Sequence, residues 1–195
     1  MNFGFENPWC PEYLVIISPS NKIKGDVKIM KKMTHSFIGL DKYQLNSIAH
    51  ITLFNLIDPP LNEKEIFEIS ENILRNFKNF RVYLKHVEYF NKGKNAQTLV
   101  IKIENPEIIK HIHASFLKTQ LGLKFKTKTI KPHVTIAKGI PTRDKDKIPQ
   151  DPFIFNYEAD FECDGIVFLR RFVKRHDENE KVIVAKYEII KEIKF

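Results

Sequence analysis

Two short stretches decide how this chain is read: His50-Ile51-Thr52-Leu53 and His133-Val134-Thr135-Ile136. Each is apolar at every second position, the period of a β-strand with one covered face. On such a strand His50 and Thr52 project from one side while Ile51 and Leu53 project from the other. The second stretch repeats this, with His133 and Thr135 set against Val134 and Ile136. Each strand therefore buries an apolar pair and offers an imidazole beside a hydroxyl. One segment of this kind is commonplace, and its histidine is usually structural. Two of them among seven histidines, in similar surroundings, form a signal that neither carries alone.

The surroundings repeat as well. Residues 13–18 read as an apolar strand, ended by a turn at Pro19-Ser20-Asn21. A helix follows in which Ile23, Val27, Met30, Thr34 and Phe37 recur every three or four positions. The first histidine strand spans 47–56 and stops at Asp58-Pro59-Pro60. Asn62 is placed to cap a second helix whose stripe is Ile66, Ile69, Ile73, Leu74 and Phe77. Strands are expected at 80–90, with Val82, Leu84 and His86 alternating, and at 97–103, joined by a hairpin at 91–95. Asn105-Pro106-Glu107 is a helix start, with a cap, a first-turn proline and an acid. Ile108, Ile109, Ile112 and Phe116 form that helix's buried side, and the second histidine strand follows at 133–137. The last third reads as strands 153–161, 165–172 and 181–190, with a turn at 174–180. Strand, helix and histidine strand thus occur twice, over 13–56 and 97–136. Two such units would face one another across a cleft, within a single α+β domain covering residues 1–195.

Charge is unevenly distributed along the chain. The formal net charge is +8, from 32 basic and 24 acidic residues. Residues 110–150 hold ten of the bases and only two acids, Asp144 and Asp146, which leaves 22 of each sign elsewhere. A local basic field attracts polyanions. Within it Lys124, Lys126 and Lys128 alternate with Phe125, Thr127 and Thr129, either a rail for phosphates or an edge strand guarded by lysines. Cys10 and Cys163 have no metal or redox spacing and read as free thiols in a reducing cytoplasm. No run reaches the 18 apolar residues of a membrane span, and the N-terminus has no signal-peptide pattern. A cytoplasmic, non-membrane protein is expected. His111 and His113 lie two apart on a predicted helix and point in different directions, so they would not share an ion. Phosphate-binding glycine loops, dinucleotide fingerprints, H-E-x-x-H and nucleophile elbows are missing from the sequence.

The paired motifs resemble the tandem H-x-[TS]-φ signature of the 2H phosphoesterase superfamily, with the 2′-5′ RNA ligase and RNA 2′,3′-cyclic phosphodiesterase group as the nearest branch. Residues 161–169 and the final strand resemble that group's closing strands. The resemblance implies a bilobal α+β fold, two pseudo-symmetric lobes of antiparallel-rich sheet with outer helices and a central cleft. It implies a metal-independent phosphoesterase, without cofactor, that opens a 2′,3′-cyclic phosphate on an RNA end or nucleotide to a phosphomonoester, with 2′-5′ ligation as the reverse. The expected partner is that RNA or nucleotide, and the chain is expected to be a monomer. His50 and His133 would exchange protons, and Thr52 and Thr135 would hold phosphate oxygens. Which imidazole is acid and which is base stays open. Lys138 stands where family members often carry Arg, and it offers a point charge in place of a bidentate fork. By strand parity it faces away from His133 and needs a bulge or a strand end to reach the site. Lys131 and Arg171 are further candidates for phosphate contact. Two rival readings share the residues: an RNA-binding module without turnover, and a metal hydrolase built on His50 and His133. The second lacks carboxylate or cysteine ligands at recognisable spacing.

Overall fold

The computed structural model describes residues 9–57, 59, 61–92, 95–119, 130–177, 180–183 and 186–195. The lysine rail at 124, 126 and 128 lies outside the described residues. Among those described, nine strands form one sheet in which every pairing is antiparallel. The chain runs β1 (Trp9–Ile17), α1 (Asn21–Ile38), α2 (Lys42–Asn46), β2 (Ile51–Ile57), α3 (Glu63–Leu74), β3 (Phe80–Lys92) and β4 (Ala96–Ile103). It continues with α4 (Glu107–Leu117), β5 (His133–Pro141), α5 (Pro152–Phe155), β6 (Glu158–Cys163), β7 (Gly165–Asp177), β8 (Glu180–Ile183) and β9 (Glu188–Lys194).

The strand order is β6-β3-β4-β5-β2-β1-β7-β8, with β9 also paired to β7. Reading outward from the β5–β2 seam shows the expected pseudo-symmetry. One side runs β5, β4, β3, β6; the other runs β2, β1, β7 and then β8 or β9. β3 and β7 are counterparts of thirteen residues each. The repeated units are β1-α1-β2 and β4-α4-β5. Their helices cross the seam, α1 packing against β5 and α4 against β2. Val27, Met30, Ile109, Ile112 and Phe116 are buried there, and Phe116 meets Phe54 of β2 at 4.8 Å between ring centroids. Burying one such side chain is worth about 1.5–3 kcal/mol, so the crossing fixes the seam strongly.

Helix ends follow local chemistry. Ser20 caps α1, which Gly39 closes in the left-handed conformation at φ 67°. Asn62 and Glu65 form a reciprocal capping box on α3. Several expectations need correction. β1 begins at Trp9 and pairs with β7 from Trp9 to Ile16. Residues 42–46 form a short helix, capped by Asp41 accepting from the Gln44 N–H at 2.8 Å, so the first histidine strand begins at Ile51 and not at 47. Asn105 does not cap α4. Its side chain bonds to β3 instead, donating to the Arg81 carbonyl at 2.7 Å and accepting from the Tyr83 N–H at 2.9 Å. The same cap-and-proline signature at Asp151-Pro152 does start a helix, α5, so the strand expected over 153–161 shortens to β6. His86 does not continue the alternation. It sits at φ 61° in a bulge, and Val87 takes the buried place opposite Ile101. Phe37 and Ile108 are exposed, and the final strand is divided between β8 and β9.

Candidate active site at the seam of the sheet

β2 and β5 are joined by one bridge, Ile51 opposite Val134, with both side chains fully buried. One antiparallel step to either side sets His50 across from Thr135 and Thr52 across from His133. The four polar side chains of the motifs therefore stand on one face, none of them buried, while Leu53 and Ile136 are buried beneath. Beyond the bridge both strands bulge at the same step. Ile16 pairs with Thr52 and Val15 with Phe54; Val100 pairs with Thr135 and Leu99 with Ala137. The extra residue reverses parity, so Asn55 and Lys138, each five positions after its histidine, return to the histidine face. Lys138 thereby lines a pocket with His50 and Thr135. Gly139, at φ 67°, supplies the left-handed backbone that follows the bulge. The Lys138 N–H donates to Gln44 Oε1 at 2.7 Å, which ties β5 to α2.

The two imidazoles are held alike. Nδ1 of His50 is 2.8 Å from the Ile48 carbonyl, and Nδ1 of His133 is 2.7 Å from the Lys131 carbonyl. A carbonyl only accepts, so in the neutral ring the hydrogen sits on Nδ1 and Nε2 becomes the basic nitrogen. In both rings the backbone two residues upstream thus sets Nε2 as the basic nitrogen.

Their neighbours differ. The His133 ring meets Phe90 edge to face at 5.1 Å. Lys131 Nζ lies 3.6 Å from the Phe90 centroid and 3.6 Å from Glu88 Oε1. Lys131 thus frames His133 through both its carbonyl and its side chain, and it shares its charge with Glu88. His50 opens onto a pocket of about 210 Å³ lined also by Lys31, Gln44, Ser47 and Lys138. Lys31 is buried at 3% exposure. It donates to the Ser47 carbonyl at 2.7 Å, Ser47 Oγ at 2.5 Å and the Gln44 carbonyl at 3.3 Å. Burial, then the charge of Lys138, pushes its pKa down to about 8. Burial also lowers the pKa of His50; the Ile48 hydrogen bond opposes this, and the charges of Lys138, Lys31 and His133 reinforce it.

Arg171 is not brought to the histidines. It pairs with Glu12, level with Ile57 and five residues along β2 from Thr52. Its guanidinium is bonded to the buried Glu12 carboxylate and stacked on Tyr187 at 4.3 Å. His113 is buried in α4 while His111 is exposed. Among the described residues no three His, Cys, Asp or Glu side chains gather where they could hold one ion, and no helix is long and apolar enough to cross a membrane. Lys31 and Gln44 join the site from positions that the motifs do not mark. A lysine four positions after Val27, inside the apolar stripe, was the available signal for the first. The D-x-x-Q spacing of Asp41 and Gln44 was the signal for the second.

The model of the 2′-5′ RNA ligase superfamily matches residues 38–175, which include both histidine motifs. The chain belongs to this superfamily of 2H phosphoesterases. Among solved structures, this 2H chain is similar to TT0787 of Thermus thermophilus at 16% identity and TM-score 0.59, covering 94% of this chain and 97% of that one. It is similar to Kluyveromyces marxianus Usb1 at 12% identity and TM-score 0.51, covering 85% and 95%. Usb1 with uridine monophosphate gives 13% identity and TM-score 0.51, covering 81% and 93%. At these identities the likeness is one of fold. No curated protein matches the sequence.

Proposed function

We propose that this 2H chain opens 2′,3′-cyclic phosphates by metal-independent acid–base catalysis between His50 and His133. One observation carries the reading: two imidazoles on adjoining strands, each with Nδ1 committed to a carbonyl, stand on one face beside two threonine hydroxyls. In hydrolysis a base takes a proton from water as its oxygen bonds to phosphorus. The bond from phosphorus to a ribose oxygen breaks, and the acid protonates that oxygen. Joining the cyclic phosphate to a 5′-hydroxyl uses the same groups in exchanged roles.

The surroundings favour His50 as the base in hydrolysis, because burial and neighbouring cations keep it neutral. His133, framed by Phe90, is then the acid. Thr52 and Thr135 hydrogen-bond the non-bridging oxygens, where charge must be held. Lys138, turned inward by the bulge, adds a positive charge to the adjoining pocket. RNA as substrate agrees with the family and with the uridine monophosphate named for one Usb1 structure.

The test is turnover of nucleoside and oligonucleotide 2′,3′-cyclic phosphates with EDTA present, alongside His50→Ala and His133→Ala. Retained activity in either variant sinks the mechanism, and abolition by EDTA points to a metal. RNA binding without turnover on any such substrate would favour a binding module.

A further inference from the structure

The pocket beside His50 has a charge arrangement that two-histidine chemistry leaves unused. Lys31 leaves the buried side of α1, and the three oxygens it donates to are all uncharged. Lys138 stands near enough for its charge to act on Lys31. Among the described residues lining the pocket none is acidic. Folding has therefore taken an ammonium out of water and set it beside a second cation, with neutral dipoles as compensation. Such placement is costly unless an anion enters. The pocket is open to His50 and Thr135, so an anion there would adjoin the reacting phosphate. At about 210 Å³ it holds a phosphate group with a few waters, each occupying about 30 Å³.

We propose that this pocket is a subsite for a second phosphate of the substrate, the one next to the reacting phosphate along the strand, gripped by Lys138 and drawn in by the charge of Lys31. The proposal rests on the phosphoesterase reading and narrows its substrate to nucleotides carrying at least two phosphates, such as the end of an RNA strand. Lys138 supplies the hydrogen bonds and both ammonium groups neutralise the added charge, while the oxygens of Gln44 and Ser47 hold Lys31 at the pocket wall.

Titration calorimetry tests this without requiring turnover. The ligands are uridine 3′-monophosphate, uridine 3′,5′-bisphosphate and inorganic phosphate, with the whole chain and with Lys31→Met and Lys138→Gln. The bisphosphate is expected to bind the unmodified chain at least about tenfold more tightly than the monophosphate. Each substitution should reduce that preference to about twofold or less. Lys138 is exposed, so its variant informs even where the Lys31 variant misfolds. Equal binding of the two nucleotides by the unmodified chain overturns the subsite, as does a preference that survives both substitutions. Inorganic phosphate binding as tightly as the bisphosphate would overturn it in favour of a free-anion site. The same preparations are assayed on uridine 2′,3′-cyclic phosphate with and without a 5′-phosphate. No turnover on either, with the bisphosphate preference intact, would defeat the phosphodiesterase reading and uphold the subsite.

Discussion

Nδ1 of His50 lies 2.8 Å from the carbonyl oxygen of Ile48, and Ile48 follows Ser47, whose carbonyl and hydroxyl both accept from Lys31. The His50 ring is thus fixed by a loop that is itself fastened to α1. On the other side of the seam the Lys131 carbonyl fixes His133 in the same way, and among the described residues no buried lysine stands behind it. The expected effects of substitution follow from this difference.

Removing either imidazole should lower kcat/KM on a 2′,3′-cyclic phosphate by about 10²–10⁴. The double variant should be little worse than the poorer single one, because acid and base act in one step. Steady-state kinetics of the three variants in EDTA checks both statements. An additive double variant would argue for independent roles.

The pH profile should report the cations around His50. Its pKa is held below the ordinary histidine value, so the acidic limb of the hydrolysis profile, where the base becomes protonated, should fall below about 6.5. Lys138→Gln removes one of the charges that favour the neutral ring. The limb should then move to higher pH, while the variant's plateau reports any loss of phosphate binding separately.

Thr52→Val and Thr135→Val keep shape and remove a hydroxyl on the open face. Each should reduce kcat by roughly 10–100-fold with little change in melting temperature, since a hydrogen bond to developing charge is lost without disturbing the core. Equal kcat in both variants and in the unmodified chain would remove the threonines from the mechanism.

Lys31→Met should stabilise the fold even as it weakens binding. Lowering the lysine pKa from 10.5 to about 8 corresponds to about 3 kcal/mol at neutral pH, and loss of its hydrogen bonds offsets part of this. A net gain of about 1–2 kcal/mol is expected in urea unfolding at pH 7. Between pH 8 and 10.5 the unfolded chain binds this proton and the folded chain does not, so the unmodified protein gains stability with rising pH. The variant's advantage should therefore shrink across that window. His50, Lys138 and Tyr43 face the same pocket and are present in both proteins.

Arg171→Ala should cost about 3–5 kcal/mol of stability by removing the cation that balances the buried Glu12 carboxylate. Activity per folded molecule, measured well below the melting temperature, should stay within about twofold, because this arginine is remote from the histidines along the sheet. A selective loss of kcat would restore it as a substrate contact.

The sequence made the seam legible because period-two alternation reports faces directly: Ile51, Leu53, Val134 and Ile136 are buried under the four polar motif residues. The repeated strand-helix-strand order was legible for the same reason. The position of Lys138 was not, since parity placed it on the wrong face and only the β4–β5 register reveals the bulge that turns it. Asn105 and Asp151 show the limit of local signals. Both precede proline, yet Asn105 is drawn away by the edge of β3 while Asp151 accepts from the Phe153 N–H and caps its helix. Lys31 shows the opposite limit, because an apolar stripe read only for its apolar members hides the charge within it.

The exchange of helices across the seam has a consequence for how the molecule could be divided. Because α1 covers β5 and α4 covers β2, a chain cut between the repeats would leave each histidine strand without its roof. One repeat alone could satisfy its apolar face only by lending its helix to a second copy and receiving one in return. This is the geometry of a fused dimer, in which joining the halves turns a shared cleft into a private one. Once joined, the halves need no longer match, and one scaffold can keep a histidine among lysines and its twin against a phenylalanine.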